Sequence, residues 1–296
     1  MNQTAGWLLP AIAGLVYALG ATILKIAITR GGGPWRAAFL SNLLLAVVMQ
    51  GFWFRYQGES FDWWQAGWPI LAGFTFFLGQ VATFQALQSG HVSVATPLLG
   101  SKVLWITVMS AVVLRQPVPV EWWAGALLAL IGIGILGYQP RSRRTLDQAQ
   151  LPTIFWSLAS AVLFAATDLT VQEASTLMPP DAFLPILFAS QGLFSLIMTR
   201  FFRSPLRLIP RDAWPWLLVG AALIAAQGIC MAIALTWFGK AAEINIIYNT
   251  RGLWSVVLAI CVGRWLGLGE ADLQGKIMVT RVLGAGLLLA AIWVVV

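Results

Sequence analysis

Apolar residues run along this chain in ten long stretches: 7–28, 35–54, 64–88, 92–114, 121–139, 153–173, 182–201, 213–237, 241–264 and 277–296. Each approaches the roughly 20 apolar residues that an α-helix needs to cross a bilayer. The breaks between them carry turn chemistry, as in Arg30-Gly31-Gly32-Gly33-Pro34, Gln116-Pro117-Val118-Pro119 and Met178-Pro179-Pro180-Asp181. The longest polar link, Gln139 to Gln150, holds Arg141, Arg143 and Arg144 and lies at the midpoint. The pattern predicts an all-α integral membrane protein with ten transmembrane helices.

Composition removes the soluble alternative. The 296 residues are 59% hydrophobic and 10% charged, with mean hydropathy +0.81, where a soluble domain carries about 25% charge. The net charge of +7 comes from basic residues in the short links between apolar runs, where membrane topology places them, so no nucleic-acid partner is expected. Cys230 and Cys261 both fall inside apolar runs, and the one histidine, His91, lies in a turn. No metal spacing, disulfide framework or cofactor motif follows from them, and none is expected. The first run starts near Trp7 without a basic leader or a small-residue cleavage site, so no cleavable signal peptide is expected either.

The two halves match at one offset. Trp7 pairs with Trp156, Phe39 with Phe188, Ser41 with Ser190, Met49 with Met198, Leu104-Trp105 with Leu253-Trp254 and Arg115 with Arg264, each pair separated by 149 residues. Five runs per half is an odd number, so the second half enters the membrane from the opposite side. The expected architecture is therefore two inverted five-helix repeats, residues 1–140 and 153–296, joined by a basic linker at 141–152.

Several of these features resemble the drug/metabolite transporter superfamily, in particular its EamA-type members. The resemblance rests on two five-span halves and on small-residue-rich final spans, Gly125 to Gly137 and Gly284 to Ala291. It rests also on a short turn closing run four just after Arg115, where Gln116 stands in place of the family's usual glutamate. The resemblance implies a transporter fold in the cell membrane, the bacterial inner membrane being the expected location, and cytoplasmic termini. Loop charges point the other way. The links after runs one, five, seven and nine contain Arg30, Arg36, Arg141, Arg143, Arg144, Arg203, Arg207, Arg211 and Lys276, which puts those links in the cytoplasm and both termini outside.

Two cations interrupt the apolar runs. Lys102 lies ten residues into run four, about 15 Å along a helix. Arg251 is its mate in run nine. A charge at membrane depth costs roughly 2.5–3.5 kcal/mol on insertion scales and marks a functional site by default. Arg offers a planar fork and Lys a point charge, so together they suit an anionic group. The resemblance adds that sugar-phosphate transporters of the same superfamily hold phosphate with basic residues on their fourth and ninth spans.

Tyr248 precedes Arg251 by three residues and Ser255 follows it by four, so a helical run nine sets all three on one face. Gln80 in run three and Gln227 in run eight are further candidate contacts, with interhelical hydrogen bonding as the alternative. Trp105 and Trp254 lie deep beside the cations and either stack on a substrate ring or pack. Asp168, whose repeat position is Leu19, and Glu243 at the start of run nine are candidate coupling residues. Asp168 either pairs with Lys102, Arg251 or Lys25, or holds a proton.

The function expected from these features is secondary, non-ATP transport of a small organic metabolite, anionic or zwitterionic, by alternating access. The alternatives within the fold are a flippase for a lipid-linked phosphate or sugar, and an exporter of amino acids or drugs. Neither a nucleophile–base pair nor a Walker motif is present, so an enzyme is not expected and no catalytic residue is assigned. The expected partners are the small-molecule substrate and the lipid bilayer, with a proton or a counter-substrate for coupling, in a monomer or homodimer.

Overall fold

A computed structural model of the chain describes residues 3–58, 62–89, 95, 98–136, 151–255, 257–258 and 275–295. Ten labelled helices correspond to the ten apolar runs: α1 (Gln3–Ala27), α2 (Pro34–Met49), α3 (Gly67–Ser89), α4 (Lys102–Val112), α5 (Val120–Leu136), α6 (Leu151–Ala174), α7 (Pro180–Ser195), α8 (Trp214–Phe238), α9 (Ala241–Tyr248) and α10 (Gly275–Val295). His91, the linker arginines, Cys261 and Arg264 lie outside the described residues.

Local signals set the helix ends. Pro34 and Pro180 open α2 and α7, where a missing N–H leaves no bond unmade. Gly239 closes α8 in the left-handed conformation, φ 62°. Several runs are less regular than their hydropathy suggests. α2 and α7 tighten into 3-10 turns at Gln50–Phe54 and Leu196–Phe201. Among the described residues, six helical stretches are long and apolar enough to cross a membrane: Gly6–Gly32, Pro34–Phe54, Trp63–Ser89, Leu151–Ala174, Pro180–Phe201 and Trp214–Phe238.

The chain forms two compact units, each built from both halves of the sequence. One unit holds residues 1–77 and 167–240. In it α1 packs along α8, and α2 packs against α7 and α8. Gly73 of α3 sits so close to the Leu187 carbonyl and the Ser190 hydroxyl of α7 that a Cβ there has no room. Buried polar groups are tied across helices: Asn42 Nδ2 donates to Ser195 Oγ at 2.8 Å, and the hydroxyls of Thr75 and Thr167 meet at 2.8 Å.

Arg36 of this unit, read from sequence as a loop charge, lies in the first turn of α2 and is 8% exposed. Its guanidinium donates to the Gly31 carbonyl, to Ser204 Oγ at 2.9 Å and to the Pro205 carbonyl at 3.5 Å. The glycine-rich turn before α2 folds back over the side chain, which pulls this charge out of the aqueous loop. Nearby, Arg30 lies over the Trp216 ring at 5.0 Å.

The second unit holds residues 78–166 and 241–296. α5 and α10, the small-residue-rich spans, pack against each other with Ala126, Ala129 and Ala291 buried between them. At their crossing a Cβ on Gly132 would lie 3.0 Å from the Gly284 carbonyl oxygen, and one on Gly284 would lie 2.8 Å from the Gly132 carbonyl oxygen. Without an inward hydrophobic drive in lipid, such close backbone approach supplies the packing energy. α4 packs on α5, and α9 packs on α4, α5 and α10. The α3 and α6 segments of this unit are joined by Thr83 Oγ1 to Ser160 Oγ at 2.7 Å, while Ser160 Oγ donates to the Gly79 carbonyl at 2.9 Å.

Candidate functional site

Runs four and nine are both interrupted, at positions 149 residues apart, in the second unit. In run four a helical turn at Leu98–Gly100 gives way to a turn at Ser101, and α4 begins at Lys102. In run nine α9 ends at Tyr248, Asn249 and Thr250 form a turn, and helix resumes at Arg251. Ser101 and Thr250 stand 149 residues apart, as do Lys102 and Arg251. Each cation is thus the first residue of a resumed helix.

The backbone bonding at the two breaks is also matched. Ser101 N–H donates to the Leu98 carbonyl at 3.2 Å, and Thr250 N–H to the Ile247 carbonyl at 3.0 Å, both three-residue steps. Four-residue bonding then resumes from Trp105 N–H to the Ser101 carbonyl, 3.2 Å, and from Trp254 N–H to the Thr250 carbonyl, 3.0 Å. Tightened or unwound turns inside a membrane helix are tolerated where they line a cavity or are buried in protein. Short, interrupted segments at corresponding places in two halves are the usual pointer to a transporter's binding site.

Both cations are half-buried and lie on aromatic faces. Lys102 Nζ is 5.7 Å from the centroid of Phe164 on α6. Phe164 is held there by packing on Gly79, where a Cβ would touch its ring at 3.1 Å. Arg251 Cζ is 4.7 Å from the centroid of Tyr248, and its Nη1 donates to the Tyr248 hydroxyl at 3.4 Å. A ring face attracts a cation, and each of these contacts fixes where its cation lies.

The sequence-derived candidates divide between the units. Lys102, Trp105, Gln80, Glu243, Tyr248, Arg251 and Trp254 belong to the second unit; Asp168 and Gln227 belong to the first. Gln80, Trp105, Gln227 and Trp254 are half-buried. Asp168 is 6% and Glu243 5% exposed, and Glu243 sits in the first turn of α9, where the helix dipole favours a carboxylate. Ser255 is exposed and its hydroxyl returns to the Arg251 carbonyl at 2.8 Å. Among the described residues, no three His, Cys, Asp or Glu side chains gather as a metal site requires.

Phe164 was not singled out in the sequence, and no spacing signal marks it. The helix breaks did have a signal, because Gly100 and Gly252 flank the two cations. A cavity of about 470 Å³ between Phe54–Gln57 and Pro179–Asp181 in the first unit contains none of the candidates. Its Arg55–Asp181 ion pair, 3.9 Å apart with Arg55 largely exposed, is a weak surface contact.

Among the described residues, six helices long and apolar enough to cross a membrane define a multi-pass membrane protein. Comparison with known proteins narrows this. The EamA-like transporter family model matches residues 4–138. A probable 4-amino-4-deoxy-L-arabinose-phosphoundecaprenol flippase subunit ArnE from Pseudomonas fluorescens (strain Pf0-1) is 34% identical over 88 residues, 29% of this chain and 77% of that protein. A protein of the same description from Pseudomonas savastanoi pv. phaseolicola (strain 1448A / Race 6) is 29% identical over 133 residues, 45% of this chain and 97% of its own length. That relative is therefore less than half as long as this chain. A solved crystal structure shares the fold, with TM-score 0.71 and 17% identity over 99% of this chain and 96% of its own. The chain belongs to the EamA-like transporter family.

Proposed function

We propose that the chain is a secondary transporter that moves a small organic metabolite with an anionic or zwitterionic group by alternating access. The observation that carries this reading is the pair of mated cations, each at the start of a resumed helix and each lying on an aromatic ring. Lys102 supplies a compact charge and Arg251 a planar fork, a combination that suits carboxylate or phosphate. Glu243 and Asp168 are the coupling candidates. Three packed helix pairs, α2 with α7, α4 with α9 and α5 with α10, are mates under the repeat. They support an inverted five-helix repeat, as does the less-than-half length of a matching relative.

A thermal-shift panel on the detergent-solubilised chain tests the reading. Carboxylates and phosphates should raise the melting temperature, and Lys102→Gln and Arg251→Gln should abolish both that rise and uptake in proteoliposomes. Stabilisation by cations or neutral solutes alone, or full transport by both variants, overturns it.

The names of the two relatives favour a second reading, a flippase for a lipid-linked phosphate or sugar in the bacterial inner membrane. The same cations would then hold the anionic head group. Vesicles carrying a lipid-linked sugar phosphate separate the two: flipping without uptake of water-soluble anions favours the flippase, and the reverse favours the metabolite transporter.

A further inference from the structure

Asn249 and Thr250, the turn residues just before Arg251, are 3% and 7% exposed. Asn249 Nδ2 and Thr250 Oγ1 have no hydrogen-bond partner among the described residues. Their neighbours differ. Asn245 Nδ2 donates to the Ala241 carbonyl at 2.9 Å, and Ser255 Oγ to the Arg251 carbonyl at 2.8 Å. Ser101, the repeat mate of Thr250, donates its hydroxyl to the Leu98 carbonyl at 2.6 Å.

Small hydroxyls in membrane helices usually return a bond to a carbonyl one turn back, as Thr83 and Thr107 do here. Thr250 makes no such return bond, although its N–H donates to the Ile247 carbonyl at 3.0 Å. Asn249 Nδ2 and Thr250 Oγ1 are left idle in a buried turn, and such groups call for a partner. They stand in sequence with a guanidinium fork and next to the Tyr248 ring.

We infer that Asn249 and Thr250 determine specificity by hydrogen-bonding uncharged hydroxyl groups of the substrate, so that the site takes a hydroxylated organic anion in preference to a plain one. This rests on the reading of Lys102 and Arg251 as anion-binding residues. Arg251 addresses the carboxylate or phosphate. The Asn249 amide donates to a hydroxyl oxygen, and the Thr250 hydroxyl donates or accepts as the neighbouring group requires.

Binding to the full chain in detergent is measured for two probe pairs, glycerate against propionate and glycerol phosphate against inorganic phosphate. Each is tested on the natural sequence, Asn249→Leu, Thr250→Val and Arg251→Gln. The hydroxylated member of each pair should bind about tenfold more tightly to the natural sequence, the value of one net hydrogen bond or a little more. Asn249→Leu and Thr250→Val should bring that ratio towards one while plain anions bind as before. Because each removes a group that has no partner in the empty site, neither should lower the melting temperature of the ligand-free protein.

Lowered melting temperatures with an unchanged ratio would make both side chains structural and overturn the inference. So would a ratio near one in the natural sequence, as expected if bound water satisfies both groups. In that last case, loss of plain-anion binding in Arg251→Gln leaves the anion-transport reading intact. Absence of anion binding throughout overturns both.

Discussion

Arg36 and Arg251 are both arginines on apolar helices, each just after a turn, and their surroundings differ. Arg36 is almost wholly buried, and the oxygens that receive its guanidinium come from the chain's own turns: the Gly31 and Pro205 carbonyls and the Ser204 hydroxyl. A fork filled that way closes a loop. Arg251 is half-buried, lies on the face of Tyr248, and follows two polar side chains that the fold leaves idle. Under the proposed reading, a cation with such neighbours receives its ligand from outside. In the sequence, Arg251 stands out by its depth in an apolar run, whereas Arg36 reads as one of the link charges. What separates them is burial and setting: Arg36 is 8% exposed and tied to turn oxygens, while Arg251 is half-buried, lies on a tyrosine ring and follows Asn249 Nδ2 and Thr250 Oγ1, which have no partner among the described residues.

The strongest way to break this comparison is to remove each charge and ask which property fails. Arg251→Gln should reduce anion binding or transport about a hundredfold or more, the scale of a charge-assisted bond, with the melting temperature nearly unchanged. Flux assays and thermal denaturation of one preparation read both quantities. Arg36→Met should do the opposite. Stranding the Gly31 carbonyl and the Ser204 hydroxyl should cost about 2–3 kcal/mol of stability, while transport per folded molecule is unchanged. If Arg36→Met abolishes transport in a protein of normal stability, the contrast fails.

Two smaller perturbations ask whether the second unit is as well packed as the first. Gly284→Ala forces a Cβ against the Gly132 carbonyl and the Leu136 backbone, and overpacking of this kind should cost about 1–3 kcal/mol. Thr83→Val removes the bond to Ser160 and should cost only about 0.6 kcal/mol, the average for interhelical hydrogen bonds in membranes. Detergent titration against a spectroscopic probe of helicity measures both, and a Thr83→Val loss as large as that of Gly284→Ala would mean the hydroxyls, not the glycines, hold the unit.

The all-helical architecture was readable in the sequence because a bilayer imposes length and apolarity together, and six helices among the described residues meet both constraints. The α5–α10 packing was readable in part, since Gly125, Gly132 and Gly284 are residues whose smallness has one main use in lipid. The site was harder to read. Lys102 and Arg251 stand out by charge, and the three-residue spacing from Tyr248 matches the ring contact. The breaks at Ser101 and Asn249-Thr250 leave only the nearby Gly100 and Gly252 as a mark, because the break residues are only mildly poor helix formers and the hydropathy of the run continues through them. Phe164 is one phenylalanine among 16, and its place beneath Lys102 follows from the tertiary approach at Gly79. Arg36 was misread as a loop charge because burial by a folded-back glycine turn leaves no mark on local polarity.

The way each compact unit gathers helices from both ends of the sequence bears on how the protein is made. α1 packs along α8, and α5 along α10, so each early helix meets its main neighbour only after a long stretch of chain has followed. During synthesis α1 and α5 therefore precede the helices against which they chiefly pack. Long-range partners of this kind slow assembly and leave a window for quality-control proteases or for pairing with a second nascent copy. A protein cut within the polar midpoint link and produced as two polypeptides should then assemble only when both are made together, and the order of their synthesis should matter less than their simultaneous presence.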